Sequence, residues 1–252
     1  MRKFYAASLA AALILAAGTN ALAQSPQPGA SVTVAGQSFD LSGAITNTDT
    51  GFTLPSTSLA LAGGSLITVG FTGDIDPSMT YSFTVTNPTP NAMSYDFDLT
   101  IPIIPTVANS PTKASLFGSM TDGNDDGIVS LAHTDFSRLQ RATGVDVGGI
   151  DHDLGLDVGA DVTASGSPGN SFTYGPYVKN GTSTFIITML DVHLHFTLSG
   201  NGDAASFNGF VSVTGDPAKL DVVPEPGAVA LLATMGVCAS GLTLRRRRRA
   251  LR

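Results

Sequence analysis

The stretch TFIITMLDVHLHFTLSG, residues 184–200, decides the fold class of this chain of 252 residues. From Leu190 to Leu198 every second residue is apolar, and Ile186 continues the same parity toward the N-terminus. A period of two is typical of a strand that buries one face and leaves the other to solvent. The stretch therefore predicts a long β-strand with its apolar face against a core.

The same alternation recurs in SMTYSFTVTN, residues 78–87, and in MSYDFDLTIPI, residues 93–103. The predicted inward residues are Tyr81, Phe83 and Val85 in the first run, and Tyr95, Phe97, Leu99 and Ile101 in the second. The chain also holds 28 glycines and 14 prolines, and no long segment has a helical period. Many strands separated by turn residues predict an all-β body, an antiparallel β-sandwich or jelly-roll-like fold.

The first 23 residues have the composition of a secretory signal peptide. Arg2 and Lys3 form a positive start, residues 4–17 are apolar, and Ala-Leu-Ala at 21–23 forms a small-residue cleavage site. A retained N-terminal anchor is the alternative, but a spanning helix needs about 20 apolar residues. We predict that residues 1–23 are removed and that the remainder is exported.

The C-terminal segment predicts a membrane anchor. Residues 228–244 carry no charge, and as a helix at about 1.5 Å per residue they would cover about 26 Å, close to the thickness of the hydrocarbon core. A basic cluster follows and holds its end on the cytoplasmic side of the membrane. This predicted membrane stop consists of Arg245, Arg246, Arg247, Arg248 and Arg249.

Pro224, Glu225, Pro226 and Gly227 precede this span, and Glu225 is the only glutamate in the chain. The order of Pro-Glu-Pro, a short apolar span and a terminal arginine cluster resembles the PEP-CTERM sorting signal over residues 224–252. The resemblance implies that an exosortase, an integral-membrane transpeptidase-like enzyme, recognises these four residues and cuts near them. It also implies a Gram-negative bacterium as the source. A plain tail anchor is the alternative interpretation.

These ends define the expected domain organisation: a signal peptide at 1–23, a β-rich mature domain at 24–215, a linker at 216–223 and the sorting signal at 224–252. Residues 24–223 contain five basic residues and nineteen aspartates, so their formal charge is near −14, against −7 for the whole chain. Such a surface repels nucleic acid, which requires basic residues to neutralise phosphates. It attracts divalent cations.

One segment resembles a calcium-binding loop. In DGNDDGIVSLAHTDF, Asp122, Asn124 and Asp126 alternate before Gly127, and oxygen ligands at alternate positions can converge on a hard cation. With a predicted short helix over residues 134–141, the segment resembles one dockerin-type, EF-hand-like repeat. The resemblance implies calcium as cofactor and Asp135 as the fourth ligand, although the twelfth position of the loop is His133. The alternative is an Asp/Asn/Gly hairpin loop without a metal.

Asp191, His193 and His195 share the polar face of the strand over 184–200. Two histidines at i and i+2 can bind one metal ion, but a third ligand must come from elsewhere. A solvent-facing polar row is the other interpretation, because such a strand needs one anyway. The acidic, glycine-spaced stretch VDVGGIDHDLGLDVGAD, residues 145–161, is interpreted as a solvated loop.

No sequence motif indicates catalysis. The chain has no G-x-S-x-G, no H-E-x-x-H and no glycine-rich phosphate loop, although a hydrolase with paired aspartates stays open. We therefore expect a non-enzymatic, acidic protein of the cell surface or exopolysaccharide matrix, transiently anchored in the inner membrane. The alternative is an extracellular module that binds calcium or glycan. Tyr174 and Tyr177 leave a sugar-stacking surface open.

Overall fold

The structure is a computed structural model that describes residues 27–61, 64–106, 108–124, 126–166 and 169–214. The predicted signal peptide, the whole predicted linker and the whole predicted sorting signal lie outside these residues. Among the described residues, no helix is both long and apolar enough to cross a bilayer. Their one helical element is a single 3₁₀ turn at Ser42–Ala44.

Two sheets make up the described body. The eight-stranded sheet has a main path in the order β11 (Asp151–Asp153), β10 (Gln140–Asp146), β14 (Ile187–Leu198), β7 (Met93–Pro102), β1 (Gly29–Val34) and β2 (Gln37–Asp40). Off this path, β9 (Ile128–His133) pairs with β14 and with β12 (Val162–Ser165). The seven-stranded sheet has the order β13 (Ser171–Ser183), β8 (Ser110–Thr121), β15 (Asp203–Val213), β6 (Ser78–Asn87), β5 (Leu66–Asp74), β4 (Gly51–Ala60) and β3 (Thr46–Asn47).

Every strand pair among the described residues is antiparallel, which confirms the prediction of an all-β antiparallel sandwich. The predicted apolar faces of β6 and β7 are buried, and so is that of β14 from Leu190 to Leu198. Alternation along each strand therefore corresponds to one face on the core and one on solvent.

An aromatic cluster joins the two sheets at the centre of the sandwich. Phe83 of β6 lies with its ring centroid 4.6 Å from that of Phe97 on β7 and 5.7 Å from that of Phe196 on β14. Within its own sheet it packs 5.0 Å from Phe207. Because these rings come from four strands of two sheets, their packing holds the two layers together.

The predicted parity of β14 is wrong at its N-terminal end. Ile187 is fully buried, whereas Ile186, predicted to point inward, is 43% exposed. The ladder with β10 shifts here, because Val145 pairs with Met189 and Asp146 pairs with Ile187. The extra residue, Thr188, changes which side chains face the core.

The predicted helix over residues 134–141 is also wrong. Residues 134–139 form bends, and β10 begins at Gln140. Leu139 and Gln140 are buried, and β10 pairs along β14, with Gln140 opposite Leu194. Pairing with a central strand outweighs the weak local preference for a helix.

The stretch over residues 145–161 is not the predicted solvated loop. Asp151–Asp153 forms β11 as a hairpin partner of β10. Leu154, Leu156 and Val158 follow and are each at most 5% exposed. Asp153, just before them, is exposed and pairs with Arg141 at 3.2 Å, and the half-buried Asp157 accepts a hydrogen bond from the hydroxyl of Ser137. This stretch therefore closes one side of the core.

Candidate functional site

The predicted calcium loop is a turn that crosses between the two sheets, since it joins β8 of one sheet to β9 of the other. The alternative prediction of a hairpin is therefore wrong in its topology. Asp122 is 2% exposed. Its Oδ2 accepts hydrogen bonds from the backbone N–H groups of Gly127 at 2.8 Å and Gly169 at 3.2 Å, and its Oδ1 accepts one from Asn124 at 3.2 Å.

The other two predicted oxygen ligands of this loop, Asn124 and Asp126, also form hydrogen bonds with residues next to them. Asp126 Oδ1 accepts from the N–H of Ile128 at 2.8 Å, and its Oδ2 accepts from the Asn124 side-chain amide at 2.8 Å. Asn124 Oδ1 in turn accepts from the N–H of Asp126 at 3.0 Å. The two contacts to backbone N–H groups are Asx-type turns, which shape the loop through its own hydrogen bonds.

A second buried carboxylate supports the same loop. Asp203, at the start of β15, is 1% exposed, and its Oδ1 accepts from the N–H of Gly123 at 3.1 Å. Its Oδ2 accepts from the hydroxyl of Ser199. Asp135, the predicted fourth ligand, does not join this set and lies instead beside His195 on the eight-stranded sheet. Calcium at this loop stays a prediction.

Among the described residues, two overlapping groups of potential metal ligands lie on the outer face of the eight-stranded sheet. Asp98 of β7 stands opposite His193 of β14, and Asp96 stands opposite His195. His193 Nδ1 lies 2.7 Å from Asp98 Oδ1, and His195 Nε2 lies 3.4 Å from the same oxygen. We call Asp96, Asp98, Asp135, His193 and His195 the Asp–His cluster.

The remaining ring nitrogens of both histidines also have partners. His195 Nδ1 lies 3.0 Å from Asp135 Oδ2 and 3.9 Å from Asp96 Oδ1. His193 Nε2 lies 3.3 Å from Thr143 Oγ1 on β10. Each imidazole is therefore held at both nitrogens, which fixes the orientation of its ring on the sheet.

One aromatic side chain covers this face. The ring of Phe136 lies with its centroid 4.7 Å from that of His195 and 6.1 Å from that of His193. Arg141 belongs to β10, and its guanidinium carbon lies 5.2 Å from the centroid of the Phe136 ring. The bend at residues 134–139 thus places an apolar cover beside the imidazoles, while the side chains of Asp98 and Asp135 keep 41% and 65% of their surface exposed.

The electrostatics of the cluster follow from these contacts. Hydrogen bonds from His193 and then from His195 hold the pKa of Asp98 well below its ordinary value. Burial, joined by repulsion from Asp135 and Asp98, raises the pKa of Asp96 despite the nearby imidazole. Burial opposes a charged His195, yet its hydrogen bonds to Asp98 and Asp135 outweigh burial and raise its pKa. The two imidazoles therefore favour the ionised form of Asp98, the carboxylate that lies between them.

Sequence reasoning placed Asp191 with His193 and His195 and found no third metal ligand. The structure puts Asp191 on the same strand but buries it to 8% exposure, and burial raises its pKa. The carboxylate that contacts both histidines is that of Asp98, which lies on β7, 95 positions before His193 in the chain. The signal available was that Asp96 and Asp98 alternate with apolar residues as the histidines do.

A shallow groove of about 370 Å³ lies over β4, β5, β6 and β15 of the seven-stranded sheet. A register shift between Leu54 and Thr57 lifts Pro55 and Ser56 out of the ladder and forms one wall. The polar side chains lining it belong to Thr53, Ser56, Thr72, Thr80, Ser82 and Asn208.

Tyr174, which the sequence left open as a sugar-stacking residue, is 1% exposed, and its hydroxyl forms hydrogen bonds with the backbone of Ala160. Its ring is therefore not available for stacking on a sugar.

No protein-family model matches the sequence, and no curated protein sequence matches it significantly. Solved structures similar to the chain include TmCBM61 in complex with β-1,4-galactotriose, at 12% identity and TM-score 0.23, which covers 53% of this chain and 67% of that one. The adhesin domain of Epf from Streptococcus pyogenes has 11% identity and TM-score 0.34, covering 75% and 60%.

A family 29 carbohydrate-binding module has 12% identity and TM-score 0.20, covering 77% of this chain and 99% of that one. All three TM-scores are below 0.5, so these likenesses carry no argument about ligand or activity. What the chain can bind has to be argued from its own side chains.

Proposed function

We propose that this protein is an exported, acidic, non-enzymatic β-sandwich of the cell surface or exopolysaccharide matrix, released from the inner membrane by an exosortase. The observation that carries the proposal is the order of the C-terminal residues: Pro224, Glu225, Pro226, an uncharged run and five arginines. Two prolines fix their φ angles and keep this junction out of the following helix. From this sequence we expect an extended strip with one carboxylate at the point where the processing enzyme cuts.

The described body supports this proposal because all of its strands end before the tail begins. The last described strand, β15, ends at Val213, eleven positions before Pro224. Val213 pairs with Thr112, and the N–H of Thr214 donates to the carbonyl of Pro111, which completes the ladder of the seven-stranded sheet. A cut near Pro224 leaves every strand of the sandwich intact.

Processing is tested with the full chain expressed in a Gram-negative host that carries an exosortase. We expect the wild-type protein to accumulate in shortened form outside the inner-membrane fraction. We expect Glu225→Ala to retain its tail and remain in that fraction, because the only carboxylate of the recognition element is lost. Immunoblots of fractionated cells measure both outcomes.

The matched control is Asp221→Ala, which removes an acidic residue four positions earlier, within the predicted linker. It should be processed like the wild type. Equal tail retention in the wild type, Glu225→Ala and Asp221→Ala would refute processing and leave a plain tail anchor.

A glycan-binding module is the second candidate function, and the hydroxyl- and amide-lined groove on the seven-stranded sheet favours it. Such groups can exchange hydrogen bonds with sugar hydroxyls. Asn208 and Ser82 are paired opposite one another across β15 and β6, and both are exposed. They are the groups of the groove that a sugar chain lying along the sheet would meet.

Affinity electrophoresis in gels containing β-1,4-galactan, xylan or the host's own exopolysaccharide tests this candidate. We expect one polymer to retard the wild type and the double variant Ser82→Ala/Asn208→Ala to bind at least about tenfold more weakly, since two hydrogen bonds contribute about 1 kcal/mol each. Ser38→Ala, an exposed hydroxyl on the other sheet, is the control. Equal retardation of all three forms excludes the groove.

A further inference from the structure

We propose that Asp98, His193 and His195 bind a divalent transition-metal ion, with Zn²⁺ as the best fit. Each of the three residues offers one ligand atom, and these atoms all lie within 4.8 Å of one another. Asp98 Oδ1 contacts His193 Nδ1 and His195 Nε2, which we take as the coordinating atoms. The proposal is independent of how the C-terminal tail is processed, and it concerns a different part of the chain from the predicted calcium loop.

The distances from Asp98 Oδ1 to the two imidazole nitrogens are close to those in a zinc site. With metal–ligand bonds of 2.0–2.1 Å, a tetrahedral ion holds its ligand atoms about 3.3 Å apart. His195 Nε2 is 3.4 Å from Asp98 Oδ1 and His193 Nδ1 is 2.7 Å from it. The distance between His193 Nδ1 and Asp98 Oδ1 is that of a hydrogen bond. A bound ion replaces the proton between these two atoms, and the distance between them increases by about 0.6 Å.

The outer contacts of the imidazoles point independently to a metal. A histidine that binds a metal through one nitrogen usually donates its other N–H to a carboxylate, carbonyl or hydroxyl oxygen. Here Asp135 stands 3.0 Å from His195 Nδ1, and Thr143 Oγ1 stands 3.3 Å from His193 Nε2. Both rings are therefore already oriented with the proposed coordinating nitrogen toward Asp98.

The backbone makes this arrangement rigid. His193 and His195 lie in the middle of β14, which is paired on one side with β7 and on the other with β10 and β9. Asp98 lies directly opposite His193 across the β7 ladder. Ligands placed on paired strands require little reorganisation to bind an ion, which favours affinity. The exposed side of Asp98 leaves a route from solvent and room for a water as fourth ligand.

The donor set selects the class of ion. Two imidazole nitrogens and one carboxylate suit Zn²⁺, Cu²⁺ or Ni²⁺, whereas Ca²⁺ and Mg²⁺ prefer oxygen ligands alone. The local charge agrees with a cation, since Asp96, Asp98 and Asp135 outnumber the two histidines. Phe136 covers His195 at 4.7 Å between ring centroids, and a low-dielectric neighbour strengthens the attraction.

The other two histidines of the chain provide matched controls. His133 contacts Asp161 at 2.7 Å, and His152 contacts Asp146 at 2.9 Å. Neither belongs to a group of three converging ligands among the residues that the structure describes. They are therefore histidine–aspartate pairs of similar chemistry in which we expect no metal.

The test is a zinc titration of the exported protein, purified without a polyhistidine tag and treated with chelator. Calorimetry should find one tight site, and Co²⁺ in place of Zn²⁺ should give the visible absorption bands of a tetrahedral ion. We expect His193→Ala and His195→Ala each to weaken binding by more than about 100-fold. Asp135→Asn should weaken binding by about 10- to 100-fold, as loss of an outer contact does.

The control variants His152→Ala and Asp161→Asn should bind as the wild type does. Nuclear magnetic resonance of the wild-type imidazoles makes the test independent of whether a variant folds: zinc should shift His193 and His195 and leave His133 and His152 unchanged. No tight site in the wild type, or equal shifts of all four histidines, overturns the proposal. Unchanged affinity of a folded His195→Ala variant does so as well.

Discussion

We expect Phe83→Ala to lower the free energy of unfolding by about 3–5 kcal/mol, which is the range for removing a buried aromatic ring. Phe83 is 3% exposed and contacts rings from both sheets, including Phe97 at 4.6 Å and Phe207 at 5.0 Å between centroids. Its loss leaves a cavity between the two layers that neighbouring strands cannot fill without shifting. Chemical denaturation of the purified protein measures the change.

Phe117→Ala is the matched control, because it removes the same ring from the same sheet. Phe117 lies on β8 and is 48% exposed, so its removal should cost less than about 1 kcal/mol. A loss for Phe83→Ala no larger than that for Phe117→Ala would show that the two sheets do not pack through this cluster.

The second large effect is expected at Asp122. We expect Asp122→Ala to lower the free energy of unfolding by about 2–4 kcal/mol, because three backbone N–H groups lose their acceptor and burial hinders replacement by water. Those N–H groups belong to Gly127, Asn124 and Gly169, which tie the crossing loop to the segment before β13. Thermal and chemical unfolding give the value.

Asp126→Ala is the control for Asp122, and calcium separates the two interpretations of the loop. Asp126 is exposed, so its removal should cost under about 1 kcal/mol in chelator. If the loop is only a turn, added calcium leaves the stability of every form unchanged. If calcium binds at Asp122, Asn124 and Asp126, it stabilises the wild type and not Asp126→Ala. An Asp122→Ala variant as stable as the wild type contradicts the structural role.

The strands with the clearest alternation could be predicted from the sequence, and the structure confirms them. In β6 and β7 each apolar residue of the pattern is buried, because one face of a strand in a two-layer sandwich meets the core along its whole length. The same argument predicted the inward face of β14 from Leu190 onward. It failed at Ile186, since a bulge at Thr188 depends on the pairing with β10, and pairing is not visible in one strand's pattern.

The segments that were interpreted wrongly take their structure from distant partners. Residues 134–141 carry local signals for a helix, but Gln140 is fixed opposite Leu194 in the β14 ladder. Residues 145–161 are rich in glycine and aspartate, yet Leu154 and Leu156 are buried. The glycine- and aspartate-rich composition reflects the outward side chains. The fold of the stretch is determined by three inward apolar residues, Leu154, Leu156 and Val158.

Two of the three proposed metal ligands could be singled out from the sequence. The two histidines share a face because they lie two positions apart on one strand. Asp98 could not be assigned to them, since that needs the register between β7 and β14, and strands so far apart in sequence can pair in many registers. Once β7 lies beside β14, His193 stands opposite Asp98.

The four residues of the recognition element and the five arginines lie outside the described residues. The sorting signal is therefore inferred from its sequence alone.

The most direct measurement of C-terminal processing is the intact mass of the native protein recovered from the cell envelope or the surrounding matrix. Removal of the signal peptide and cleavage by an exosortase predict a chain that begins at Gln24, ends near Pro224 and lacks the uncharged run and all five arginines from Arg245 to Arg249. A mass that still includes those arginines contradicts this prediction.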